Sequence, residues 1–170
     1  MQSSTIELAS STNRFENLSV KEFNQFENES IIKLALESIK INFRPGVSLD
    51  DQQSARDYLQ LKYVNYQHEV FSILHLDIKH RLIFHEELFY GTLNGCSVYP
   101  REVVKSALHY NSGALLLCHN HPSGDASVSN SDERITKRLK NALALIDVSI
   151  LDHIVVGKSG TISLSERGLL

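Results

Sequence analysis

The sequence predicts an α/β domain built on a mixed β-sheet flanked by helices on both faces. Short apolar blocks suited to strands alternate with longer segments whose apolar residues recur at helical spacing. Two strand blocks are joined by the tight turn Asp77-Ile78-Lys79-His80, which makes them antiparallel neighbours. A third block, residues 113–119, is apolar almost without interruption, the pattern of a strand covered on both faces.

From the N-terminus, residues 1–27 are rich in Ser, Asn, Gln and Glu and predict a flexible arm. Residues 28–48 predict a helical extension. Ile31, Leu34, Ala35, Ile39 and Phe43 share one face there, and Arg44-Pro45-Gly46 ends the helix. The main domain is expected over 49–170. Its first helix runs from Ser48 to about Val64, with Asp50 or Asp51 in the first turn and Ala55, Tyr58, Leu59 and Leu61 turned inward. Residues 70–76 and 81–89 are the two arms of a hairpin. Pro100 opens the next helix, where its fixed φ fits and its missing N–H costs nothing. Val103, Val104, Ala107 and Leu108 form that helix's apolar face. After the buried strand, a helix over 132–146 turns Ile135, Leu139, Ala142, Leu143 and Ile146 inward, and strands 150–156 and 161–164 close the fold around a turn at 157–160. There is no internal repeat and no low-complexity tract.

Composition narrows the function classes. The chain has 170 residues, 42% hydrophobic and 22% charged, enough for one domain with a real core. A net charge of −3 gives no general grip on a phosphate backbone, so direct nucleic-acid binding is not expected. The two cysteines, Cys96 and Cys118, form no CxxC pair, which favours a reducing compartment. No run reaches the roughly 18 apolar residues of a membrane helix. The first twenty residues lack the basic start and apolar run of a secretory signal. A cytoplasmic protein is expected, and a homo-oligomer is compatible with the sequence.

The chemistry concentrates in residues 119–132, His119-Asn120-His121-Pro122 through Ser129 to Asp132. Residues i and i+2 of a strand project to one face, roughly 7 Å apart, so His119 and His121 can converge on one ion. The Pro122-Ser123-Gly124-Asp125 turn reverses the chain. Ser129 or Asn130 caps the following helix, which puts Asp132 in its first turn with its carboxylate aimed back at the histidines. Three protein ligands with an open position make a catalytic rather than a structural metal site. An N/N/O set favours zinc among the divalent metals. Two neutral imidazoles and one carboxylate leave a net charge of about +1, which lowers the pKa of a bound water toward roughly 7. A hydrolase also needs an oxyanion donor and a general base. Ser129 is placed for the first role. Glu69, at the start of strand 70–76, is the choice for the second, although spacing alone does not separate it from Glu86, Glu87 or Glu102.

This motif, HxHP-x6-SxxD, resembles the JAMM motif of MPN-domain metallopeptidases, and more closely the RadC family within that fold. His68-Glu69-Val70-Phe71, Leu76-Asp77, Phe89-Tyr90-Gly91-Thr92-Leu93, Val98-Tyr99-Pro100-Arg101-Glu102, 151–157 and 166–170 carry the likeness further, over about residues 50–170. The resemblance implies a three-layer MPN fold, related to that of the cytidine deaminases, and one Zn²⁺ on His119, His121 and Asp132. It also implies Ser129 as oxyanion donor, Glu69 as base, and a peptide or protein substrate cut at an amide bond. The alternative it carries is a non-catalytic or DNA-repair-associated metal-binding module. Two departures stand out: Ala126 and Val128 replace prolines common in the family, and residues 1–48 lack the helix-hairpin-helix region of its longer members.

Other polar residues are expected to be structural. Asp125 reads as a turn residue, Cys118 as core, and Arg101 as a helix-holding cation. His153 reads as a structural histidine with the option of a hydrogen bond near the site. His75, His80, His85 and His109 read as surface or satisfied core positions. The contiguous letters His-Asn-His do not make an HNH nuclease, whose residues are dispersed over a ββα unit. The H-x-E followed by P-C-x-x-C of zinc deaminases is absent, since no P-C-x-x-C occurs anywhere in the chain.

Overall fold

The computed structural model describes residues 52–170 except 94, together with residues 30, 33, 35, 45 and 46. The arm at 1–27, most of the extension at 28–48 and the aspartates at 50 and 51 lie outside the described residues. The domain runs helix α1 (Gln52–Tyr63), hairpin strands β1 (Val70–Leu76) and β2 (Leu82–Tyr90), helix α2 (Pro100–His109) and strand β3 (Ala114–Asn120). Helix α3 (Asn130–Ala144) and strands β4 (Ser149–Gly157) and β5 (Gly160–Ser163) complete it. The five strands form one mixed sheet in the order β2-β1-β3-β4-β5. β3 is antiparallel to β1 and parallel to β4, with α3 as the crossover.

This order makes β3 the central strand and explains its apolar run, since all seven of its residues are buried. Its side chains alternate between the faces. Leu116 and Cys118 join Ala55, Leu59 and Tyr63 of α1 in one core, while Leu115 and Leu117 join Val103 and Ala107 of α2 and Leu139 and Leu143 of α3 in the other. The result is the three-layer α/β arrangement of the MPN fold. The same alternation sends His119 toward the α2–α3 layer and Asn120 toward the α1 side.

Two helix faces differ from expectation. Tyr63 is buried, whereas Leu61 is only partly covered, because the α1 stripe steps through 55, 58–59 and 63. On α2, Leu108 is 60% exposed and Ser106 is buried instead. The reason is His75, a fully buried histidine on the same sheet face that needs polar partners. Ser106 Oγ lies 3.1 Å from its Nε2 and Ser112 Oγ 2.9 Å from its Nδ1.

The α1 side contains an acid-sensitive contact. His85 Nδ1 lies 2.9 Å from the Tyr58 hydroxyl and Nε2 3.1 Å from that of Tyr63. Burial, reinforced by Lys62, holds its pKa down to about 3. In the unfolded chain it returns to about 6.5. The unfolded state therefore takes up the proton first. Stability is complete above about pH 6.5 and is lost as pH falls toward 3, by a few kcal/mol, roughly, for this group. Urea unfolding between pH 7.5 and 4 is expected to show that loss, and His85→Phe to flatten part of it. An unchanged slope in the variant would contradict this account.

Candidate metal centre

The loop after β3 is fixed by backbone contacts with β4. His121 N–H donates to the Val156 carbonyl at 2.8 Å, and Lys158 N–H to the Gly124 carbonyl at 2.9 Å. Gly157 makes the close approach possible, because a Cβ there would lie 2.6 Å from Gly124 O and 2.7 Å from Ala126 N. Gly124 turns the chain with φ 93°. Asp125 then accepts from Ser127 N–H at 2.9 Å, the turn role expected of it. Its own carbonyl oxygen lies 2.8 Å from His121 Nδ1. A carbonyl can only accept, so Nδ1 carries the proton and a neutral His121 presents its Nε2 lone pair to the site.

Ser129 is the N-cap of α3. Its Oγ accepts from Asp132 N–H at 3.2 Å, and Asp132 Oδ2 accepts from Ser129 N–H at 2.7 Å, a reciprocal capping box. This leaves Asp132 Oδ1 facing the histidines, 3.3 Å from His119 Nε2. Against burial, which opposes ionisation, the His119 contact and the capping bonds hold the Asp132 carboxyl well below the usual carboxylate range.

The three side chains are positioned to hold a metal ion, with ligand atoms all within 4.8 Å of one another. His119 Nε2 and His121 Nε2 are 3.0 Å apart, and His121 Nε2 is 3.8 Å from Asp132 Oδ2. Ligand atoms about 2.0–2.1 Å from a tetrahedral metal stand about 3.3 Å from each other. His121 Nε2 and Asp132 Oδ1 lie 3.0 and 3.3 Å from His119 Nε2, close to that value, and the three ligand atoms stay within 4.8 Å of one another, so the residues fit a small cation.

A cleft of about 630 Å³ opens over these atoms, walled by Phe71, Val98 and Ile135 and containing Glu69 and Ser129. Glu69 is held from two sides. Its N–H donates to Thr92 O at 3.0 Å and its carbonyl accepts from Gly91 N–H at 2.8 Å. Asn120, 2% exposed, clamps its neighbours: Oδ1 accepts from Val70 N–H at 2.8 Å and Nδ2 donates to His68 O at 3.0 Å. Burial pushes the Glu69 carboxyl up, a shift only partly offset by the two histidines. The other carboxylates are engaged elsewhere. Glu86 binds Ser106 and His75, Glu87 binds Lys62, Tyr66 and Tyr90, and Glu102 binds Lys105. Of the four candidates, only Glu69 lines the cleft.

The five expected site residues thus share one cleft. Cys118 is fully buried in the α1-side core. Arg101 is exposed and 3.7 Å from Glu102. Sequence reasoning missed two contributors, Asn120 and Thr136, and gave His153 only the option of a bond near the site. Asn120 was legible as a buried amide at the end of an apolar strand, which must find partners. Thr136 and the particular partner of His153 were not, because β4 and α3 meet His119 only in the folded state. His153 Nε2 lies 2.8 Å from His119 Nδ1, so His153 sits directly behind the site.

Fold and site together define an MPN-type α/β domain with a two-histidine, one-aspartate cradle at the end of its central strand. Residues 49–169 match the family model of the RadC-like JAB domain, and the chain belongs to that family. It is similar to a protein of Leptothrix cholodnii named only as a UPF0758 protein, with 51% identity over 85% of this chain and 65% of the relative. A Methylibium petroleiphilum relative of the same naming is 50% identical over the same shares. A UPF0758 protein of Vibrio cholerae is 47% identical over 82% of this chain and 88% of its own length. The chain therefore spans just under two thirds of the first two relatives. Among the described residues, no helix is long and apolar enough to cross a membrane.

Proposed function

We propose that this domain is a zinc-dependent hydrolase of amide bonds, a peptidase or isopeptidase acting on peptide or protein substrates in the cytoplasm. The observation that carries the reading is a half-buried carboxylate, Glu69, on a stretch of backbone fixed by Asn120, in the same cleft as three convergent metal-ligating side chains. His119, His121 and Asp132 would hold the ion, and the N/N/O donor set favours zinc. When bound, the metal supplies a Lewis acid for the scissile carbonyl and lowers the pKa of the attacking water toward about 7.

The remaining steps belong to the protein. Glu69 takes one proton from the attacking water, and its upward-shifted carboxyl then returns that proton to the leaving amine. Ser129 Oγ accepts the capping bond from Asp132 N–H, so its own proton stays free to donate to the developing oxyanion. Phe71, Val98 and Ile135 give the cleft apolar walls for substrate side chains.

The test is a mixed library of linear peptides and lysine-linked isopeptides, read by mass spectrometry for new termini. Zinc-loaded protein is expected to cleave, chelated protein to be silent, and zinc to restore cleavage. Stoichiometric zinc without cleavage of either bond type would remove the enzyme and leave the metal domain.

A further inference from the structure

The geometry points to Thr136 and His153 as positioning residues that lock His119 in the tautomer whose Nε2 lone pair faces the metal. The inference rests on reading His119, His121 and Asp132 as ligands, and extends it to side chains that touch no metal.

The argument is a count of protons. Thr136 Oγ1 lies 2.6 Å from the Asp132 carbonyl oxygen, one turn back in α3, and 2.6 Å from His153 Nδ1. The hydroxyl has one proton and the carbonyl has none. If that proton pointed at His153, two oxygens would face each other at 2.6 Å with nothing between them. It therefore goes to the carbonyl, as threonines inside helices commonly bond four residues back. The Thr136 lone pair then accepts from His153 Nδ1–H. His153 is fully buried, and among the described residues its ring nitrogens bond only His119 and Thr136, neither of them a carboxylate. A neutral ring protonated at Nδ1 has a bare Nε2, which accepts from His119 Nδ1–H at 2.8 Å. Nε2 of His119 is left with its lone pair outward.

The chain starts at the backbone of one ligand, Asp132, and ends on the ring of another, His119. His121 is fixed the same way by the Asp125 carbonyl. With both rings neutral, the two Nε2 lone pairs point to one place, 3.0 Å apart and beside the Asp132 carboxylate, where a cation fits. Phe71 supports the geometry, stacked at 12° to the His119 ring and edge-on to His153.

The experiment compares wild type with His153→Leu, His153→Gln and Thr136→Val. Zinc affinity is measured by competition with a chromogenic chelator, and His119 nitrogen shifts are read in long-range proton–nitrogen spectra of the metal-free proteins. His153→Leu removes the acceptor and is expected to weaken zinc about 10- to 100-fold and to mix the His119 tautomers. His153→Gln keeps a carbonyl facing His119 and is expected to recover most of that loss. Thr136→Val is expected to fall between. A His153→Leu protein that binds zinc like wild type, or whose His119 stays protonated at Nδ1, overturns the lock. If wild type binds no zinc, the metal reading fails instead, and the nitrogen shifts alone decide the lock.

Discussion

Glu69→Gln is expected to slow amide cleavage by about 10²- to 10⁴-fold, roughly 3–5 kcal/mol of barrier, while leaving metal content unchanged. The substitution keeps the size of the side chain and removes only its ability to accept and return a proton. Nothing in the backbone need move. The Thr92, Gly91 and Asn120 contacts that fix residues 68–70 all involve main-chain atoms on the Glu69 side. The loss should fall on kcat, with KM, zinc stoichiometry and melting temperature near wild type. A rate within threefold of wild type would show that the proton goes elsewhere. Glu86, Glu87 and Glu102 are poor substitutes, each being engaged by other side chains outside the cleft.

Asp132 has two functions that separate by substitution. Asp132→Asn keeps a side-chain oxygen for the Ser129 N–H but loses the charge, so the helix cap survives and zinc affinity falls at least 100-fold. Asp132→Ala loses the charge and the bond from the Ser129 N–H, while the Ser129 Oγ still caps the residue 132 N–H. Its metal-free form should unfold about 1 kcal/mol more easily than that of Asp132→Asn, the net worth of one hydrogen bond. Denaturant unfolding of the metal-free proteins reads the cap, and chelator competition reads the metal. Wild type should gain stability with added zinc, by RT ln(1 + [Zn]/Kd), and neither variant should gain comparably. Zinc stabilisation equal in all three would remove Asp132 from the ligand set.

Much of this was legible before folding was considered. β1 falls on the predicted 70–76, and β3 within one residue of its predicted bounds, because strands buried on both faces leave an apolar signature. The ligand spacing was legible because strand, turn and helix cap each have local chemical rules, and Ser129 and Asp132 obey the capping rule and face the site at once. What failed did so where an apolar stripe was decided by a distant polar residue. Leu108 gave way to Ser106 because buried His75, thirty-one residues away, needed a hydroxyl. His153 was read as structural with only the option of a bond near the site, since its neighbour His119 is thirty-four residues distant and only the parallel β3–β4 pairing brings the rings together. Choosing Glu69 among four glutamates needed the same kind of long-range information, supplied by the partners that occupy the other three.

The central claim is one metal ion held by two imidazoles and a carboxylate at the end of β3. X-ray absorption at the zinc edge on the zinc-loaded chain tests it directly. The predicted result is one zinc per chain with about four N/O neighbours at roughly 2.0–2.1 Å, two of them giving the outer-sphere signal of imidazole. A sulfur neighbour at about 2.3 Å, which would put Cys96 or Cys118 on the metal, or less than stoichiometric zinc after loading, would contradict it.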